Sequence, residues 1–231
     1  MPKALTLRST LAALKRFYGK PASPVGRDPF RLILWEQVAY LVSDVQRRQA
    51  FRALQARVGL TPGAILGASA AELRAIARLG GPIAAPVRAA RLRQSAELVL
   101  GRWDGDLRAA LRLPVDQARK ALAQFAMIGE PGADKILVFT RTARLLPLDS
   151  NGLRVLQRLG FTTEARDYRA SYRRAQETLA PQLPRDFAGL IAAYYLLRQH
   201  GQELCRRSAP DCPRCPLRTQ CPSATTRQRE S

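Results

Sequence analysis

The chain has no run approaching the eighteen or so apolar residues that cross a bilayer as a helix, which excludes a helical membrane span. No stretch alternates apolar and polar residues convincingly over strand length, so a sheet-based fold is not expected. No segment recurs at a fixed period, which disfavours a solenoid. No secretory signal is recognisable, so disulfides, which need an oxidising compartment, are not expected either. Cysteine does not occur before Cys205, and His200 is the single histidine. Lysine is nearly as scarce, limited to Lys3, Lys15, Lys20, Lys120 and Lys135.

What the chain has in excess is arginine. Lysine and arginine together number 38 against 18 acidic residues, a formal charge of +20 and a pI of about 11.2. A compositional habit of the source genome accounts for arginine over lysine, but not for so large an excess over acids. Such a chain is expected to seek a polyanion, most often nucleic acid, and the planar guanidinium fork suits phosphate oxygens. Binding of this kind weakens steeply with salt, because each neutralised phosphate releases counterions.

At 231 residues and 46% hydrophobic, the chain can bury a core, as one domain or two small ones. Helical spacing dominates throughout, and the expected class is all-α. The stretch through Arg16 reads as a short amphipathic first helix rather than a transit peptide. Pro29 opens a buried helix over 30–45 that carries Trp35 and Tyr40. A turn-rich break follows over 59–67. Ser69 and Glu72 then read as a capping box starting a helix that stops at Gly80-Gly81. Further helices are expected over 87–100, 115–125, 151–159 and 184–200, and the tail beyond Cys221 reads as disordered.

Three local patterns carry chemistry. Cys205, Cys212, Cys215 and Cys221 form C-x6-C-x2-C-x5-C, a short clip whose four thiolates suit one zinc ion or one cubane iron–sulfur cluster equally by spacing. Between two helices lies Met127-Ile-Gly-Glu-Pro-Gly-Ala-Asp-Lys-Ile-Leu137, where Gly129 and Gly132 permit a tight turn at a helix start. Such a turn can cradle a phosphate with Gly129, Gly132, Ala133 and Lys135, or it can be an ordinary helix connection. Finally, Leu148-Asp-Ser-Asn-Gly-Leu-Arg-Val places Asp149 before an apolar-periodic run, the usual position of a helix cap.

Hairpin, aspartate and cysteine clip, in this order and with His200-Gly201 before the first cysteine, resemble the helix-hairpin-helix DNA glycosylase superfamily related to endonuclease III and the adenine glycosylase of mismatch repair. The resemblance spans nearly the whole chain, and the cysteine spacing matches the family's 4Fe-4S loop without a gap. It implies two helical modules with a cleft between them. One is a six-helix barrel over 28–146 that holds the helix-hairpin-helix. The other is an iron–sulfur cluster domain of 1–27 with 147–231, its loop at 205–221. It also implies a 4Fe-4S cluster on Cys205, Cys212, Cys215 and Cys221 in preference to zinc, and leaves His200 as a packing or hydrogen-bonding residue. The implied partner is double-stranded DNA with a damaged or mispaired base, which is flipped out for hydrolysis of its N-glycosidic bond. A monomer in the cytoplasm, associated with the nucleoid through DNA, completes the expectation.

Within this resemblance Asp149 is the expected catalytic carboxylate, stabilising the oxocarbenium-like sugar and positioning water. Asn151 matches the adenine-glycosylase branch, where endonuclease III has histidine. Strand-cutting relatives use a hairpin lysine as nucleophile, and here that position falls on Ala133 or Asp134, so base removal without strand cleavage is expected. Lys135 is the reserve nucleophile of a bifunctional alternative, and Lys120 reads as solvated. Glu36 stands near the branch's catalytic glutamate, or else is a helix-face carboxylate in an arginine pair. Tyr40 reads as a base-stacking or core aromatic, and Gln37, Gln46 and Arg47 as candidates for filling the hole in the duplex. The adenine glycosylase's C-terminal module, which reads the base opposite, is not expected here, so mispaired adenine is not named as the substrate. A non-catalytic DNA-damage-binding protein of the same fold is the competing class.

Overall fold

The computed structural model describes residues 5–21 and 26–224. Among the described residues the chain is all helix and loop, with no strand. It divides into two compact units, Ser23–Thr142 and the pair Met1–Ala22 with Ala143–Ser231. The expected boundary at 146 falls inside the second of these. Leu146 is fully buried in that unit's core, and its amide donates to Gln176 Oε1 at 3.2 Å. The segment 225–231 of the expected disordered tail lies outside the described residues, whereas Ala224 is buried.

The central unit holds α2 (Pro29–Gln37), α3 (Asp44–Arg57), α4 (Pro62–Gly67), α5 (Ala70–Leu79), α6 (Ala85–Trp103), α7 (Val115–Leu122) and α8 (Glu130–Phe139). The long helix α6 packs on α2, α4 and α5. Its buried stripe of Ala89, Leu92, Ala96 and Val99 follows helical spacing. Ser43, Thr61 and Ser69 cap α3, α4 and α5 by accepting from the amides of Gln46, Ala64 and Glu72. The stretch read as a turn-rich break thus contains a short helix. Glu72 reaches Arg57 at 3.5 Å.

The helix expected over 30–45 breaks after Gln37, and the reason is tertiary. Arg88, 1% exposed, donates to Val38 O at 2.7 Å, Ala77 O at 2.8 Å, Ile83 O at 3.0 Å and Gly80 O at 3.1 Å, and also to Gly81 O. One guanidinium therefore satisfies carbonyls at the ends of both α2 and α5, groups that a helix end leaves orphaned. Gly80 permits this approach, since a Cβ there would lie 2.2 Å from Val38 O. The chain then turns through Leu41 at φ 51. Tyr40 is consequently not a core residue but exposed. Arg88→Met should destabilise the protein by on the order of 3 kcal/mol in urea unfolding, because it strands several buried carbonyls at once. A shift within error of wild type would refute the role.

The other unit holds α1 (Leu7–Tyr18), α9 (Ser150–Arg158), α10 (Tyr168–Leu179) and α11 (Phe187–Glu203), followed by the cysteine loop. Helix α11 packs on α1 and α9, around Leu14, Leu153, Leu156, Tyr172 and Leu197. Helix α10 had no counterpart in the sequence reading. Its arginine-rich run hides the narrow stripe of Ser171, Tyr172, Ala175 and Leu179 that it buries.

Candidate active site and cysteine pocket

Asp149 caps α9, and its carboxylate is held on both oxygens. Oδ1 accepts from Gly152 N at 2.8 Å and Asn151 N at 3.0 Å. Oδ2 accepts from Arg198 Nη1 at 2.9 Å and Asn151 Nδ2 at 3.2 Å. The side chain is 25% exposed. It is therefore fixed in direction yet reachable from solvent. Tyr168 stands close by at the start of α10; the residue is 46% exposed, and partial desolvation, with a smaller contribution from the Asp149 charge, raises its hydroxyl pKa. Arg198 and Tyr168 were missed in the sequence reading. No spacing rule connects them to a residue 49 or 19 positions earlier.

Gly201 explains how α9 and α11 meet here. A Cβ on it would lie 2.7 Å from Asn151 O and 2.8 Å from Asn151 Cβ, so only glycine lets the end of α11 reach the start of α9. Arg154 fastens the junction. It donates to Gly201 O at 2.7 Å, Asn151 Oδ1 at 2.9 Å and Cys205 O at 3.0 Å. One turn on, Arg158 donates to Arg206 O at 2.6 Å, Arg207 O at 3.0 Å and Cys205 Sγ at 3.4 Å. The helix that presents Asp149 is thus pinned to the first part of the cysteine loop.

None of these four cysteines is joined in a disulfide. All of them line one pocket, of about 450 Å³ including open solvent, with His200, Leu204, Leu217's neighbour Arg218 and the α9 residues Val155, Arg158 and Leu159. Among the described residues, no three His, Cys, Asp or Glu side chains converge as a group that could hold a metal ion. The donor chemistry nonetheless suits a thiolate-bound group. Cys215 Sγ accepts from Leu217 N at 3.4 Å, and His200 Nε2 lies 3.5 Å from it. His200 Nδ1 lies 3.0 Å from Tyr18 Oη. If Cys215 is a thiolate, Nε2 carries the imidazole proton and Nδ1 accepts from the tyrosine hydroxyl. Burial lowers the His200 pKa to about 4, which keeps the ring neutral. It also raises the Cys215 thiol to about 11, with the neighbouring cysteines adding to the shift. A bound cation that supplies positive charge would reverse that trend.

In the central unit, Lys135 and Glu36 are brought together. Lys135 is buried in α8, and its Nζ pairs with Glu36 Oε1 at 2.5 Å. Asp134 is also buried and accepts from Arg119 Nε at 2.6 Å, while Lys120 is exposed. Ala133 is fully buried, and its amide is used within the helix, donating to Gly129 O at 2.9 Å. Of the expected cradle, Gly129 is the exposed member, and Gly132 is half-buried. Neither glycine supplies the left-handed turn. That conformation falls on Met127, at φ 69. What the glycines supply is bare backbone: a Cβ on Gly129 would meet nothing nearer than 3.9 Å, and no side chain caps this end of α8.

Of the candidates for filling the duplex, Gln37 and Arg47 are engaged within the fold. Gln37 is fully buried, with Nε2 donating to Ala126 O at 3.0 Å and Oε1 accepting from Ser95 Oγ at 3.0 Å. Arg47 is turned onto the end of α2, donating to Trp35 O at 2.8 Å and lying 5.8 Å from the Trp35 ring centre. Gln46 is half-buried on the first turn of α3.

No family model matches the chain. Endonuclease III of Sulfolobus acidocaldarius is 26% identical over 196 residues, which is 84% of this chain and 82% of that protein. A structure of a trapped endonuclease III–DNA covalent intermediate matches with a TM-score of 0.74 at 20% identity, over 97% of this chain and 99% of that one. A structure of a thermostable thymine-DNA glycosylase matches with a TM-score of 0.72 at 15% identity, over 95% and 97%. The chain has the all-α fold of the endonuclease III-like DNA glycosylases.

Gly201→Ala should cost about 2 kcal/mol of stability by forcing Asn151 away from α11. Urea unfolding measures it, and a neutral substitution would show that the helix junction tolerates a Cβ.

Proposed function

We propose that this chain is a base-excision-repair DNA glycosylase, which flips a damaged or mispaired base out of duplex DNA and hydrolyses its N-glycosidic bond. The observation that carries the reading is the Asp149 carboxylate, rigidly aimed from a helix start within a fold of this kind. Its charge stabilises the oxocarbenium-like sugar as the base departs, and it positions water at the anomeric carbon. Two chemical demands are thus met by one group. The charge of +20 supplies the affinity for DNA, and the exposed backbone at Gly129 supplies an anion-binding helix start.

Base removal without strand cleavage is the supported mode. A Schiff-base nucleophile must present a neutral amine to the sugar. Lys135 is instead buried and ion-paired with Glu36, and breaking a buried pair is costly. The same pair commits Glu36 to holding α8 against α2, which leaves Asp149 as the residue with a role in the reaction.

Cys205, Cys212, Cys215 and Cys221 hold a 4Fe-4S cluster on this reading. Such a cluster would fix the loop on which Arg154 and Arg158 close, and so support α9 from behind. Pure protein is then expected to be brown, with about four irons per chain, and serine at any one of these cysteines should bleach it. Zinc and no colour would replace the cluster with a zinc clip.

The activity is tested with duplexes that each carry one modified base. Strand breaks should form only after hot alkali, with no adduct trapped by borohydride. Asp149→Asn should lose at least about 100-fold in base release with its affinity for DNA intact or raised. Borohydride trapping that Lys135→Ala removes would overturn the mode. No base release from any duplex would overturn the activity.

A further inference from the structure

The carboxylate of Asp149 is saturated. It has about four acceptor positions, and four donors fill them: two backbone amides on Oδ1, and Asn151 Nδ2 and Arg198 Nη1 on Oδ2. Three of these cannot leave. The amides belong to the helix start, and Asn151 is held in turn by Arg154, which is fastened to Gly201 O and Cys205 O. Arg198 differs from them. It is a long side chain from another helix, and it alone carries a charge that cancels the one a developing sugar cation needs.

We infer that Arg198 is a phosphate-binding residue that exchanges partners, holding the Asp149 carboxylate in the free protein and a phosphodiester oxygen beside the target sugar in the DNA complex. The inference rests on the glycosylase reading in that it sets a deoxyribose against Asp149. Every deoxyribose within a strand carries a phosphate on each side. A sugar placed at Asp149 therefore brings an anion to the guanidinium already bound there. Carboxylate and phosphate are alternative partners for the same planar fork. The exchange frees one acceptor position on Oδ2, beside the Asn151 Nδ2 bond that stays, and leaves the carboxylate's negative charge uncompensated only when the strand is seated. Arg198 acts on the reaction through Asp149 and is a positioning residue in that sense.

The test is a double-mutant cycle in binding, read on a duplex with one tetrahydrofuran abasic-site analogue, which cannot lose a base. Arg198→Met should weaken binding and lower the slope of log affinity against log salt by about 0.9, the share of one phosphate contact. Asp149→Asn keeps the helix cap and removes the carboxylate charge that competes with a phosphate for Arg198. It should tighten binding by about fivefold in the wild-type background, the scale of a partly exposed ion pair, and by clearly less in the R198M background. Arg198→Lys keeps the charge and should restore the salt slope. If R198M does not fold, R198Q takes its place in the cycle. An unchanged salt slope, or equal tightening by D149N in both backgrounds, would overturn the exchange. Base release by the wild-type chain on modified-base duplexes is read separately. Its absence would sink the glycosylase reading whatever the binding cycle gives.

Discussion

The contact between the start of α9 and the end of α11 is the constraint on which the candidate site depends. It exists because Gly201 has no Cβ to strike Asn151. With the helices that close, Arg154 spans Asn151, Gly201 and Cys205 with a single guanidinium. Asn151 is thereby held against Asp149 Oδ2. A backbone approach, a half-buried arginine and a helix cap thus act in series. The direction of the carboxylate follows from them, not from the aspartate itself. The same arginine ties the Asp149 carboxylate to the cysteine loop, so a centre bound by the four thiolates would support the candidate site mechanically.

Arginine has two uses in this molecule, and composition alone does not separate them. The excess of basic residues points to a polyanion. Several arginines are nevertheless turned inward onto carbonyls: Arg47 on Trp35, Arg88 on the ends of α2 and α5, Arg93 on Ala68, Arg158 on the cysteine loop. The fork that fits phosphate also fits a cluster of orphaned helix-end carbonyls. Short helices have many ends for their length, and a chain of short helices has correspondingly many such clusters. A basic surface left for any polyanion therefore draws on fewer arginines than the composition suggests.

Much of the fold was legible locally. N-caps at Ser69 and Asp149, the proline opening α2, and Gly80 closing α5 are set within a few residues of chain, and each stands where the sequence placed it. The cysteine spacing brought four thiols to one pocket. The errors share a cause. The break after Gln37 depends on Arg88, fifty residues away. The helix α10 is masked by its arginines. Gln37 and Arg47 look like exposed polar residues until α6 and the end of α2 engage them. The hairpin glycines look like the bend, but the bend falls on Met127.

The sequence by itself determined the all-α class, the order of hairpin, aspartate and cysteine clip, and the strongly basic charge, because each of these is written in residues near one another in the chain. Only the tertiary structure decided what the key charges do. Lys135 is spent on Glu36, and Asp149 is met by Arg198. Those pairings join residues 99 and 49 positions apart. The energy of a charge depends on which groups and how much water surround it, and packing alone sets that environment.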